Sequence, residues 1–142
     1  MVETDTDAAT LVQRYFDAFN ARDTEGCLSL LADDVVHDLA GMHGDGGREA
    51  GKTAFRAWLD RTTRCFEEKA VDLYVTASAD GRHAEAEYTL LGVYLETEDG
   101  LPDAEGQNYS LPALAVFEIR DGRVVRLTDS HAPADLPDQS GV

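Results

Sequence analysis

Apolar side chains fall at Ala8, Leu11, Val12, Tyr15, Phe16 and Phe19, the spacing of one helical face, and predict a helix over residues 5–21. Thr4 or Asp5 stands where it can cap the start. Asn20 to Asp23 interrupts the pattern. Cys27, Leu28, Leu30 and Leu31 then predict a short helix over 24–32, ended by Asp33-Asp34, and 35–38 reads as a short strand. Residues 41–51 hold five glycines and read as a loop. Phe55, Trp58, Leu59 and Thr62 share one side of a third helix over 53–66. Beyond it the period changes from that of a helix to that of a strand. Val71, Leu73 and Val75 alternate with Asp72, Tyr74 and Thr76, and Asp80-Gly81 signals a hairpin. A long strand over 82–97, an acidic loop over 98–108, a strand over 109–120, a turn at Asp121-Gly122 and a last strand over 123–131 follow. Residues 132–142 have two prolines and no period, and are expected to be a loose tail.

Helices first and hairpin-linked strands afterwards predict an α+β fold, with helices packed on one face of a curved antiparallel sheet. Gly92 supplies a break of the kind a bent strand needs. At 142 residues the chain is one domain, 1–142. Charge narrows the partners. With 28 acidic and 12 basic residues the net charge is −16, which argues against nucleic acid and anionic membrane, both polyanions. No apolar run approaches the ~20 residues of a membrane span. The N-terminus carries Glu3, Asp5 and Asp7 and has neither the basic start nor the apolar stretch of a signal peptide. Cys27 and Cys65, each within a predicted helix, read as reduced buried thiols of a cytoplasmic protein.

The segments VQRYFDAFNARDTEGCLSLLADDVVHD, GGREAGKTAFRAWL, YLETEDGLPDAEGQNYSLPA and VFEIRDGRVVRLTD resemble the NTF2-like superfamily over roughly residues 8–130. Within it they look most like the SnoaL-like, ketosteroid-isomerase-related proteins. The resemblance implies a cone: a strongly bent antiparallel sheet wrapped around three N-terminal helices, with an apolar pocket open at one end. It also implies a homodimer through the outer sheet face. The superfamily hosts isomerases, polyketide cyclases, epoxide hydrolases, dehydratases and binding proteins that catalyse nothing, so the fold does not fix the reaction.

Asp38 ends the short strand on the face of Val36. A carboxylate reaching into an apolar cavity becomes a better base, and the resemblance puts the proton-moving aspartate of the ketosteroid isomerases here. The alternative is a cap for the glycine-rich loop. Tyr15, in QRYF, matches by resemblance the tyrosine that donates to the developing oxyanion. Its alternative is a core aromatic. The isomerases' second donor, a protonated acid, aligns near Ala115, where Leu114, Val116 and Phe117 offer no acid either. That departure argues against steroid isomerisation itself. Asp129 and His131 share a face of the last strand with Val125 and Leu127. By resemblance to the polyketide cyclases they are acid–base groups; alternatively they sit at a sheet edge, with His131 solvated. Glu87 is a further candidate for an inward carboxylate, in which case Tyr88 faces the other way. Leu11, Phe19, Phe55, Trp58, Tyr88, Leu114 and Phe117 are the apolar residues expected near the cavity.

No metal is expected. His37, His43 and His131 with Asp38 and Asp45 match no zinc spacing, and His37 should point away from Asp38 on a strand. Gly46, Gly51, Lys52 and Thr53 satisfy the P-loop pattern. Glu49 within it, the hairpin-linked strands and the charge of −16 argue against a nucleotide, so the glycines read as turn formers. The expected function is therefore a cofactor-independent enzyme. It binds a small apolar carbonyl compound and isomerises, cyclises or dehydrates it by proton transfer, with Asp38 as base, Tyr15 as donor and Asp129 as a secondary acid. An epoxide hydrolase on the same cone, with Asp38 or Glu87 beside Asp129, and a non-catalytic binding module are the alternatives.

Overall fold

The computed structural model describes residues 3–40, 47–97 and 103–131. In chain order these form α1 (Glu3–Asn20), α2 (Thr24–Leu28), β1 (Leu31–Ala40), β2 (Gly47–Ala50), α3 (Lys52–Cys65), β3 (Phe66–Ala77), β4 (His83–Tyr94), β5 (Asn108–Arg120) and β6 (Arg123–His131). The six strands make one sheet in the order β2-β1-β6-β5-β4-β3. Every pair is antiparallel except β1–β6, which is parallel. The α+β expectation therefore stands, with a mixed sheet in place of a purely antiparallel one.

The differences from the sequence reading cluster around β1. The second helix stops at Leu28, and Leu31 to Asp34 belong to the strand. Leu31 is fully buried, whereas Asp33 and Asp34 are exposed, so the acidic pair is a solvated stretch of strand and no helix end. Residues 47–50, expected as loop, form β2 against β1, with His37 opposite Glu49. The remaining loop residues 41–46 lie outside the described residues, as do 98–102 and the tail 132–142. Gly51 has φ 97°, a left-handed conformation suited to glycine, and starts α3. Lys52 reaches Asp33, 3.6 Å away, and the described residues before it, 47–50, are strand and form no phosphate-cradling loop. β3 also begins earlier than its alternation suggested, directly at Phe66.

The concave face of the sheet carries the core. Register sets Ala86, Ala115 and Asp129 side by side across three strands, and Ala84, Phe117 and Leu127 in the next row. All are buried. Small residues on β4 and β5 leave room for rings from α1: Tyr15 lies 5.6 Å from Phe117, and Phe16 lies 4.9 Å from Tyr88, between ring centroids. The Asn20 side chain ties the end of α1 to β3. Its Nδ2 donates to the Ala70 carbonyl (3.0 Å) and its Oδ1 accepts from the Ala70 N–H (2.8 Å).

Gly92 has a tighter role than bending. Tyr109, opposite it in register, lays its ring over the glycine. A Cβ at 92 would stand 2.6 Å from Tyr109 Cε2 and closer still to Cζ and the hydroxyl. The Tyr109 hydroxyl in turn donates to Glu68 on β3.

Candidate active site

The alternation of β1 decides the site. Val35 and His37 point into the core and Asp38 to the opposite face, because a strand sends successive side chains to opposite sides. His37 Nε2 lies 2.7 Å from Asp129 Oδ2 on β6. His37 is 1% exposed and Asp129 7%, making this a buried imidazole–carboxylate pair. The His37 ring lies against two rings of α3, with centroids 4.6 Å from Phe55 and 4.6 Å from Trp58. Parallel pairing of β1 with β6 brings the two together from 92 positions apart.

Asp129 faces a cavity walled by Tyr15, Phe16, Phe19, Trp58, Tyr88 and Leu90, with Glu68 also on its lining. Its volume is about 20 Å³, room for a water molecule and little more. Burial pushes the Tyr15 hydroxyl well above the usual phenol range, and the Asp129 charge pushes it further. Tyr88 is raised for the same reasons, burial first, then Asp129 and Glu68. Both phenols therefore stay protonated at neutral pH and present O–H groups beside a carboxylate. Glu68 also borders a larger open groove of about 760 Å³, shared with Asn20, Arg22 and Tyr109. Glu68, held by Tyr109, thus stands between the inner cavity and the outside.

The structure brings together Tyr15, Phe19, Trp58, Tyr88 and Asp129 of the predicted residues. It does not bring Asp38 to them. Asp38 Oδ2 accepts from Arg126 Nε (2.8 Å) and Nη2 (2.7 Å) on the outer face, with Thr128 Oγ1 at 3.5 Å. The expectation of an inward Asp38 is corrected by β1 presenting its other face. Glu87 and Leu114 are register partners on that outer face too, with Glu87 exposed and Leu114 half-buried. Phe55 and Phe117 are fully buried core, packed behind the cavity against His37 and Tyr15. Leu11 lies away from it, on a separate pocket with Ala8 and Ile119. His131 ends β6 opposite Ala113, and its side chain lies outside the described residues. Ala115, which aligns near the isomerases' second acid, has Asp129 as its register partner, so the neighbouring strand supplies a carboxylate.

His37, Phe16, Leu90 and Glu68 were missed as site residues. His37 carried one usable signal: period 2 groups it with Val35, whose apolar side chain belongs in a core. Glu68 carried none, because β3 begins where the third helix was expected to end. Among the described residues no group of three or more His, Cys, Asp or Glu is placed to hold a metal ion, and no helix is long and apolar enough to cross a membrane.

Comparison with known proteins agrees with this architecture. The sequence model of the SnoaL-like domain matches residues 12–127. A crystal structure from Xanthomonas campestris pv. campestris, provisionally called a polyketide cyclase, is 44% identical with TM-score 0.83, covering 89% of this chain and 90% of its own. Another from Pseudomonas putida, named in the same provisional way, is 42% identical with TM-score 0.85 and covers 90% and 93%. An epoxide hydrolase of M. tuberculosis shares the fold at 22% identity, TM-score 0.69, covering 93% and 83%. No curated protein matches the chain.

Proposed function

The chain belongs to the SnoaL-like family, and on that premise we propose that it moves protons on a small, largely apolar carbonyl compound with Asp129 as the base. One observation carries the reading: Asp129 is a carboxylate 7% exposed, facing a cavity of aromatic rings, with one oxygen held by His37. The second oxygen is left to meet substrate. A carboxylate aimed into the cavity stands where it can take a proton from a bound substrate. Removing a proton next to a carbonyl puts negative charge on the carbonyl oxygen, and the Tyr15 and Tyr88 hydroxyls are the donors for it. Return of the proton elsewhere isomerises the compound, attack of the enolate on a second carbonyl closes a ring, and loss of a β-hydroxyl dehydrates it. A ring-sized ligand requires the half-buried Phe19 or Tyr88 to turn aside.

A titration with a naphthol tests this. A phenolate imitates the enolate, and Asp129→Asn imitates the base after it has taken the proton. Asp129→Asn is expected to bind naphthol about tenfold more tightly than the parent, and Asp38→Asn to bind it unchanged. Equal binding by Asp129→Asn and the parent, or tightening in Asp38→Asn alone, refutes the assignment. Binding to none of them favours a non-catalytic module.

A second reading draws on Glu68 and Asp129 sharing one cavity. Two carboxyl groups could open an epoxide, one activating water and the other or a phenol protonating the leaving oxygen. The pairs expected from sequence, Asp38 or Glu87 with Asp129, lie on opposite faces and do not serve. Diol formation from a small epoxide, lost in Glu68→Gln, supports this reading; absence of diol removes it.

A further inference from the structure

We propose that Glu49 is a positioning residue for His37, joined to it through one buried water, so that Glu49, the water, His37 and Asp129 form a single hydrogen-bonded chain behind the cavity. This deepens the assignment of Asp129 as base and takes its catalytic meaning from it.

Two unsatisfied atoms carry the inference. His37 Nδ1 and Glu49 Oε1 are both buried side-chain atoms without a hydrogen-bond partner. Buried polar atoms are nearly always satisfied, and an orphan costs about 1–3 kcal/mol. These two belong to residues directly opposite each other on β1 and β2, so both side chains project from the same face of the sheet. Side chains of such a pair have Cβ atoms about 5 Å apart. A water between a ring nitrogen and a carboxylate oxygen gains a partner on each side and removes both orphans at once.

The chemistry of the ring gives the chain a direction. Around His37 stand the Phe55 and Trp58 rings of α3, Asp129 of β6 and Glu49 of β2. The charged groups in that set are the two carboxylates, Asp129 at Nε2 and Glu49 opposite His37 across the β1–β2 pair. An imidazolium satisfies both by donating from Nε2 to Asp129 and from Nδ1, through the water, to Glu49. Holding Nδ1 fixes the ring so that Nε2–H stays aimed at Asp129 Oδ2. This is the role of an outer carboxylate behind a working histidine, transferred to a histidine that works through an aspartate.

Nitrogen-15 NMR of the full chain labelled at histidine tests this without any ligand. His37→Asn assigns the His37 signals. The expected result is a proton on Nδ1 that exchanges slowly with water. Glu49→Ala should speed that exchange about tenfold, and Glu49→Gln, which keeps an acceptor oxygen, should restore most of the protection. An unprotonated Nδ1 in the parent overturns the proposal whether or not the variants fold. Unchanged exchange in folded Glu49→Ala also overturns it. Because naphthol is absent here, the two tests fail separately: slow exchange with no tightening in Asp129→Asn leaves the chain standing and removes the base.

Discussion

Gly92→Ala isolates the contact between the β4 backbone and the Tyr109 ring. In an ordinary strand position alanine is better than glycine by roughly 0.5–1 kcal/mol, so a stabilising effect is the default. Here the added Cβ would stand 2.6 Å from Tyr109 Cε2, with two other Tyr109 atoms nearer. The ring cannot stay. It is 5% exposed, meets Phe66 edge-on at 6.1 Å, and donates its hydroxyl to Glu68. Forcing a packed ring aside costs about 1–3 kcal/mol, and the hydrogen bond to a carboxylate adds about 1.5 kcal/mol. Set against the alanine gain, the net loss is roughly 1.5–4 kcal/mol, which at this chain length lowers Tm by about 5–12 °C. Urea unfolding of a double-mutant cycle with Tyr109→Ala checks the origin of the effect. Once Tyr109 is truncated, Gly92→Ala should become neutral or stabilising. An equal cost in both backgrounds refutes the argument from the ring and assigns glycine a purely conformational role.

Further outcomes follow from other contacts. Asn20→Ala should lower stability to urea by about 1–3 kcal/mol, since buried Ala70 loses both hydrogen bonds to that side chain; a loss under a few tenths would mean the helix end is held elsewhere. Burial, with Asp23 nearby, pushes the Cys27 thiol from 9.0 up to about 12. The folded state therefore keeps a proton that the unfolded chain releases. Stability should be full below pH 9 and fall between pH 9 and 12, and urea unfolding of Cys27→Ala over that range should show a shallower fall. Identical slopes would place the thiol in water.

Parts of the molecule were legible because they depend on neighbours in sequence. The spacing from Ala8 to Phe19 and the alternation of β5 specify elements whose buried face their own residues declare. β1 was not legible in that way. Val35-Val36-His37-Asp38 offers an apolar residue to each face, so local hydrophobicity does not choose. Chemistry suggested the carboxylate should be inside. The actual choice comes from pairing with β6, where Leu127 and Asp129 are inward and His37 stands opposite Leu127. Glu49 was hidden for a related reason: a four-residue strand within a glycine-rich stretch has too little period to read, and only its partner makes it a strand.

The parallel pairing of β1 with β6 also bears on how the protein is made. His37 and Asp129 are 92 residues apart. At a synthesis rate of ~5–20 residues per second, the histidine leaves the ribosome about 5–20 s before the aspartate. During that interval β1 has β2 as its sheet neighbour and an unpaired edge on the other side, with the His37 imidazole waiting for its partner. Docking of β6, the last strand among the described residues, covers that edge and completes the dyad in one step. A nascent chain stalled before Asp129 would thus hold the helices, β1 and most of the sheet, yet lack the carboxylate that His37 meets in the core. The buried imidazole–carboxylate pair is assembled only when the sheet is finished.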